Sequence, residues 1–346
     1  MLPSMFSGIS GLKANQKKLD VIGNNIANSS TTAFKAQRIR FQDMVSQNLT
    51  QAIGASVNYG GTNPRQIGLG VQIAGIDTVT STGNMQPTSR NLDAAIDGEG
   101  YFMVAKGPAL FEDGSGIEVD PATHLMADDR KGESIMFSRD GAFTLDSDGN
   151  LLTSDGNRVL GYTFTGDGGE SVSLDSDATG DGVVQKGKSF FVDSNQPLEK
   201  IDQLKTLIIP DQVDKGGQMR RIQSFSIEKD GLIKAVLDDG SVSVLGQIAM
   251  ASFKNPGGLS KLGKNLYQNS ANSGDPVIRA SAAETDDANK NNKGYGDMLQ
   301  GMLEMSNVDL AEQFTDMIIA SRAFQANGKI ITTGDEILQD LVNLKR

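Results

Sequence analysis

Few of the side chains that usually carry chemistry are present, and each is limited in a specific way. Cysteine is absent, which excludes thiol nucleophiles, disulfides and thiolate-bound metals. His124 is the single imidazole, so a Ser-His-Asp triad or a multi-histidine metal site would have to be built around it. It lies in Pro121-Ala122-Thr123-His124-Leu125-Met126-Ala127-Asp128-Asp129, a polar stretch that reads as an exposed loop. Asp175-Ser176-Asp177-Ala178-Thr179-Gly180-Asp181 has the alternating oxygen ligands and central glycine of the front half of a calcium loop. Lys186 stands where a bidentate glutamate should follow, so the segment reads as a polar turn. Asp146-Ser147-Asp148-Gly149 is shorter, falls between two strand-like runs and reads as a hairpin turn. The remaining carboxylates that could pair for acid–base work sit in Asp-Gly steps, which turn geometry explains first. No glycine-rich stretch follows a strand and opens a helix, so a nucleotide cradle is unsupported. The expectation is a protein that is not an enzyme, with no catalytic residue, no metal and no cofactor.

Bulk properties narrow the class further. A chain of 346 residues is too long for one small core and predicts two or three domains. With 40 glycines, 14 phenylalanines, 5 tyrosines and no tryptophan, it should favour turns and thin strand-rich layers over one large core. A net charge of −11 argues against nucleic acid as a partner, because phosphate binding needs clustered positive charge. No run of eighteen apolar residues occurs, so no membrane insertion is expected. The opening residues lack a basic region and a cleavage site, which is unlike a secretory signal peptide. Composition alone would therefore place the chain in the cytoplasm.

The elements that would position any site are helical at the two ends and extended between them. Leu2, Met5, Ile9, Leu12, Gln16, Leu19, Gly23 and Ile26 alternate steps of three and four, the spacing of a helix packed along its length on another. Leu310, Phe314, Met317, Ser321, Phe324, Gly328, Ile331, Asp335, Leu338 and Val342 repeat that alternation, predicting a helix over 307–344 with Ser306 or Asn307 as its cap. Gly8, Gly11, Gly23, Gly328 and Gly334 interrupt these helices, each at a cost of about 0.8–1 kcal/mol relative to alanine. Helices so marginal need partners, either each other or further copies. Asp140-Gly141, Asp148-Gly149 and Asp155-Gly156 then punctuate short apolar runs as turns of a β-meander. The pattern returns over 224–251 with Asp230-Gly231 and Asp239-Gly240. Most of the net negative charge falls in 111–134 and 164–186, which read as solvated surface additions.

Several blocks resemble the bacterial flagellar basal-body rod and hook family. Leu19-Asp20-Val21-Ile22-Gly23-Asn24-Asn25-Ile26-Ala27-Asn28, followed by Thr31-Thr32-Ala33-Phe34-Lys35, is similar to its N-terminal signature, in which Asn24, Asn25, Ile26, Ala27, Asn28, Phe34 and Lys35 are the marker positions. The family usually has glycine where Ala33 stands. Leu92-Asp93-Ala94-Ala95-Ile96-Asp97-Gly98-Glu99-Gly100-Tyr101-Phe102 and Phe137-Ser138-Arg139-Asp140-Gly141-Ala142-Phe143 resemble two further blocks. So do Asn255-Pro256-Gly257-Gly258-Leu259, Gly263-Lys264-Asn265-Leu266-Tyr267, Ser306-Asn307-Val308-Asp309-Leu310 and 317–327. The opening Ser7–Leu12 and the ending 330–346 are nearer the hook members, with the distal rod members as the alternative.

The resemblance implies a mainly β, mixed fold whose β domain is built from two sequence halves. It implies terminal helices that pair like a coiled coil. The expected division is residues 1–33 with 301–346 as the helical polymerisation domain, and 34–70 as a linker or extended hairpin. Residues 71–162 with 207–300 would form the β domain, and 163–206 a reduced insertion where larger members carry an outer domain. Such subunits leave through the flagellum's own export channel, without a cleaved signal, and form an extracellular tube that transmits torque as a flexible joint. The principal partner is the chain itself, joined by the distal rod, hook cap and hook–filament junction proteins. Leu310, Phe314, Met317, Phe324, Ile331 and Leu338 are expected to be buried by assembly, facing Leu2, Met5, Ile9, Leu12, Leu19 and Ile26. A β-rich carbohydrate-acting enzyme or adhesin is the competing class, and five tyrosines without a tryptophan make a poor sugar groove.

Overall fold

The computed structural model describes residues 2–54, 60–106, 116–126, 134–166, 169–170, 172–175, 185–284 and 290–344. The chain divides into two compact units, one of residues 1–31, 35–81 and 306–346 and the other of 32–34 and 82–305.

The first unit holds both helices. α1 (Leu2–Ala27) carries Pro3 in its first turn, where a missing N–H costs nothing, and runs through its three glycines. At its end Asn28 Nδ2 donates to Asn24 O at 2.9 Å, satisfying a carbonyl that no longer has a helical partner. α2 (Leu310–Leu344) is 35 residues long, on the order of 52 Å at 1.5 Å per residue. Its N-cap is Asp309, whose Oδ1 accepts from Ala311 N at 2.8 Å and Glu312 N at 3.3 Å. Sequence spacing favoured Ser306 or Asn307 for that role, but Asn307 is engaged elsewhere.

Between the helices the chain forms an antiparallel two-stranded ribbon. β1 (Gln37–Asp43) pairs with β4 (Val71–Thr78) from Gln37↔Thr78 to Asp43↔Val71, with a bulge at Arg40/Phe41. β2 (Ser46–Thr50) and β3 (Arg65–Gly68) extend it outward. Residues 71–78 therefore do not open the β domain, as the sequence division had them. They are the return strand of the ribbon, and Arg40 Nε meets Asp77 Oδ2 across it at 2.5 Å.

The second unit is a β domain written in two sequence halves. Its main sheet runs through strands 212–215, 218–227, 232–237, 242–248, 158–166, 101–106, 134–138, 266–268 and 260–263. The halves are joined where Gly161 and Tyr162 pair with Ile248 and Gln247, and where Met250 pairs with Phe102. Two short ribbons, 94–97 with 297–300 and 85–87 with 302–304, join the halves again. Alternate residues of a strand face opposite sides, and Tyr101–Ala105 is buried on both. Phe102 and Val104 enter a core with Phe143, Leu151, Ile233 and Met298. Tyr101, Met103 and Ala105 enter another with Phe137, Leu160, Leu204 and Tyr267.

Three local expectations differ from what is observed. Asp148-Gly149, Asp155-Gly156, Asp230-Gly231 and Asp239-Gly240 are turns with a left-handed glycine, whereas Gly141 has no positive φ and Asp140-Gly141 is not a hairpin. There the backbone passes so close to residue 94 that a β-carbon on Gly141 would overlap Ala94 O, and Ala94 N donates to Gly141 O at 3.1 Å. Close approach, not turn geometry, demands that glycine. His124 is buried, with 9% of its surface accessible. Asp120 organises the turn through Ala122 N (2.9 Å) and Thr123 Oγ1 (2.7 Å), folding His124 back so that its carbonyl accepts from Ile278 N at 2.9 Å. Finally, 158–166 and 199–206 pair within the main sheet, so both ends of the expected 163–206 insertion belong to the domain itself. The calcium-loop-like residues 176–184 lie outside the described residues, as do 111–115 and 127–133 of the first acidic stretch.

Candidate assembly surface

The helices pair antiparallel along a seam in which glycines and polar residues meet a few large apolar side chains. A β-carbon on Gly334 would lie 3.2 Å from Met5, one on Gly8 3.4 Å from Ile331, and one on Gly11 2.8 Å from Asn327 Nδ2. Farther along, Lys18 Nζ meets Asp316 Oδ1 at 3.3 Å and Asn25 Nδ2 donates to Gln313 Oε1 at 3.0 Å. On α1 the residues buried most completely are Gly8, Gly11, Ala14, Ile22 and Asn25. The intrachain seam thus takes in the heptad positions Met5 and Ile331 but centres on small and polar residues that the heptad spacing passes over.

The heptad residues fall into two groups. Met5, Leu12, Leu19 and Ile26 on α1, with Met317, Ile331 and Leu338 on α2, are half-buried; Ile9, Leu310, Phe314 and Phe324 are exposed. The side chain of Leu2 lies outside the described residues. Large apolar side chains that the spacing missed are also open, among them Phe6 at 65%, Ile318 at 62% and Ile319 at 56% accessible. The ribbon adds Val45 at 74%, Leu49, Ile53 at 68% and Ile67. Exposed apolar side chains are thus found on both helices and on the ribbon. Ile318 and Ile319 were detectable in the sequence as an unbroken Met317-Ile318-Ile319 run, wider than one heptad stripe.

The signature residues sit where helices meet ribbon. Asn25 is 1% accessible; its Nδ2 donates to Gln37 O at 2.8 Å and its Oδ1 accepts from Gln37 N at 3.0 Å. Lys35 is buried and donates to Ser81 O at 2.8 Å. Asn24 and Asn28 bond each other at the exposed end of α1 (3.0 Å), beside exposed Ala27. In the second unit, Phe34 lies beneath the Lys261 ammonium, 5.0 Å from the ring centre. Ala33 holds a left-handed φ of 55° at the place of the family's glycine.

Elsewhere the geometry offers little chemistry. The β unit has a cleft of about 480 Å³ lined by Asp146, Asp148, Asp211 and Asp214 with Phe190 and Met219. Asp146 is occupied by its own turn, accepting from Asp148 N and Asn150 N, and Asp214 accepts from Gly217 N. Among the described residues no three His, Asp or Glu side chains are grouped to hold a metal. No described helix is long and apolar enough to cross a membrane.

Residues 5–35 match the flagella basal body rod protein model, 125–235 the flagellar hook protein FlgE/F/G D1 domain, and 299–344 the flagellar basal body rod FlgEFG protein C-terminal model. Over its full length the chain is 41% identical to the whole flagellar basal-body rod protein FlgG of Bacillus subtilis. It is 31% identical to the flagellar hook protein FlgE and 28% to the rod protein FlgG of Borreliella burgdorferi, covering all of each. The chain belongs to the flagellar basal-body rod and hook family, whose members are structural proteins of the flagellum, not enzymes.

Proposed function

We propose that the chain is an axial subunit of the flagellar hook that polymerises with copies of itself through its terminal helices. The observation that carries this is the division of labour on α2. The face toward α1 is mostly small and polar, with Gly334, Asn327, Ala320 and Gln313 beside Ile331, while Phe314, Ile318, Ile319 and Ile337 stay open to water. Full burial of such side chains is worth about 1.5–3 kcal/mol each, more than one intrachain pair recovers here. Packing against neighbouring copies supplies that burial, with the proposed interface comprising Leu2, Met5, Ile9, Leu12, Leu19 and Ile26 and Leu310, Phe314, Met317, Phe324, Ile331 and Leu338. Domain roles follow: residues 1–33 and 301–346 polymerise, and the β unit forms the outer wall. Export through the flagellar channel, torque transmission, and contacts with distal rod, cap and junction proteins belong to this reading. The hook-like ending 330–346 supports the hook placement.

A second reading has its own support. The 41% identity to a rod protein named FlgG, over the whole of each chain, favours the distal rod. Immunogold labelling of isolated basal bodies separates them: label on the curved external segment is the hook outcome, and label on the straight buried segment the rod outcome. Deleting 307–346 should abolish polymerisation and leave the β unit folded. A polymer formed without those residues overturns both readings.

A further inference from the structure

The ribbon of β1–β4 has only two strands, and an isolated two-stranded ribbon is marginal in water. Its base is closed by side chains from both chain ends acting as surrogate strands. Asn25, from the end of α1, bonds both the N–H and the carbonyl of Gln37. Asn307, just before α2, accepts from Ala36 N through Oδ1 at 2.8 Å and donates through Nδ2 to Val79 O at 3.0 Å and Ser81 O at 3.1 Å. It thereby spans the outgoing and returning chains directly beside the Val79 N to Ala36 O bond. Asn25 also donates to Gln313, so the same amide that closes the ribbon fixes α2 against α1. A third tie sits higher up, where Ser10 Oγ on α1 accepts from Val71 N at 3.2 Å. At Gly70 a β-carbon would collide with that hydroxyl, so the return strand lies directly on the helix.

We propose that this arrangement is a conformational latch: the ribbon closes only when both terminal segments are seated, and Asn25 and Asn307 enforce that condition. Neither amide can be replaced by local pairing, since each joins groups separated by long stretches of sequence. Its consequence is an order of events. Val45, Leu49, Ile53 and Ile67 are presented on a formed ribbon only after α1 and α2 have paired. This rests on the reading that the terminal helices pair during assembly, and it adds that ribbon contacts follow helix contacts.

Amide hydrogen exchange on the full chain, soluble and polymerised, tests the latch. Protection in 37–43 and 71–78 is expected to appear only in states where α1 and α2 are protected. Asn25→Asp keeps the size and the acceptor for Gln37 N but removes both donated bonds. It and Asn307→Ala, each losing two or more bonds, should speed exchange across both strands by at least about tenfold, the equivalent of losing one buried hydrogen bond. Gln313→Glu retains the acceptor facing Asn25 and should match the wild type. A ribbon that stays protected while the helices exchange freely overturns the latch, as does a variant effect confined to Ala36 and Gln37. The wild-type comparison needs no substitution, so a variant that fails to assemble leaves the test intact. A wild-type chain that never polymerises would sink the assembly reading instead, while joint opening of ribbon and helices in the soluble chain still decides the latch.

Discussion

Arg139 donates through Nη1 to Glu304 Oε2 at 3.2 Å, and both side chains are almost wholly buried. The guanidinium also reaches Ile96 O at 3.3 Å and Gly98 O at 2.6 Å and lies over the Tyr101 ring, while Gly83 N donates to Glu304 Oε1 at 2.8 Å. One ion pair therefore ties four separate stretches of the β unit together. Removing a single partner leaves an uncompensated buried charge, so Glu304→Ala should cost about 3–5 kcal/mol in denaturant unfolding of the β unit. The double variant Arg139→Met with Glu304→Met should recover part of that loss and not all. Gly83 N and the two carbonyls still lose their partners.

Ala33 adopts φ 55° with 1% of its surface exposed, and its N–H donates to Glu304 O at 2.8 Å. A left-handed backbone costs a non-glycine residue about 1–2 kcal/mol, and a β-branched one more. Ala33→Gly relieves that strain but gives up a buried methyl worth about 0.8 kcal/mol and loosens the unfolded chain, so its net effect should stay within about 1 kcal/mol. Ala33→Val should destabilise by at least about 3 kcal/mol, through strain and overpacking together. Thermal unfolding of the two variants, side by side, checks the contrast.

Burial pushes the phenols of Tyr101, Tyr267 and Tyr295 above their ordinary value, Tyr267 furthest. For an acid raised on folding, the contribution to stability is complete below the unfolded value of about 10 and is lost as pH climbs through the folded value. These three tyrosines should therefore stay neutral where a free phenol ionises and should titrate together with alkaline unfolding. The absence of tryptophan leaves the phenolate absorbance unobscured. Smooth titration of all five tyrosines near the free value would contradict the buried placement.

Phe314 and Ile318 are 51% and 62% accessible. Phe314→Ser combined with Ile318→Ser should leave the unfolding of the β unit unchanged, within about 0.5 kcal/mol, because little intrachain burial is lost. Polymer yield, measured by sedimentation, should fall by at least about tenfold, as two buried side chains are removed from every subunit contact. Gly11→Val acts on the other face. Its side chain would enter the space of Asn327 and should separate the helices within one subunit, seen as faster proteolysis of both termini.

How much of this was legible beforehand depends on the range of each signal. Helical ends and a β-rich middle were readable because periodicity and Asp-Gly turns are local, and four of the five such turns highlighted hold a left-handed glycine. Gly141 does not, because its requirement comes from Ala94, distant in sequence and invisible to a turn rule. His124 was misread for the same reason. Nothing in the polar residues around it reveals that Asp120 folds the turn back onto Ile278.

The sequence by itself determined the classes of chemistry that are excluded, the two terminal helices, and the family, since these depend on composition, spacing and ordered motifs. Only the tertiary structure decided which face of each helix meets the other. A seam made of Gly8, Gly11 and Ala14 leaves no trace in a hydrophobic pattern, because close approach selects small side chains while periodicity counts large ones. Asn25 and Asn307 likewise show their roles only once the chain ends have met. Their partners are backbone groups, which every sequence has and no sequence pattern can point to.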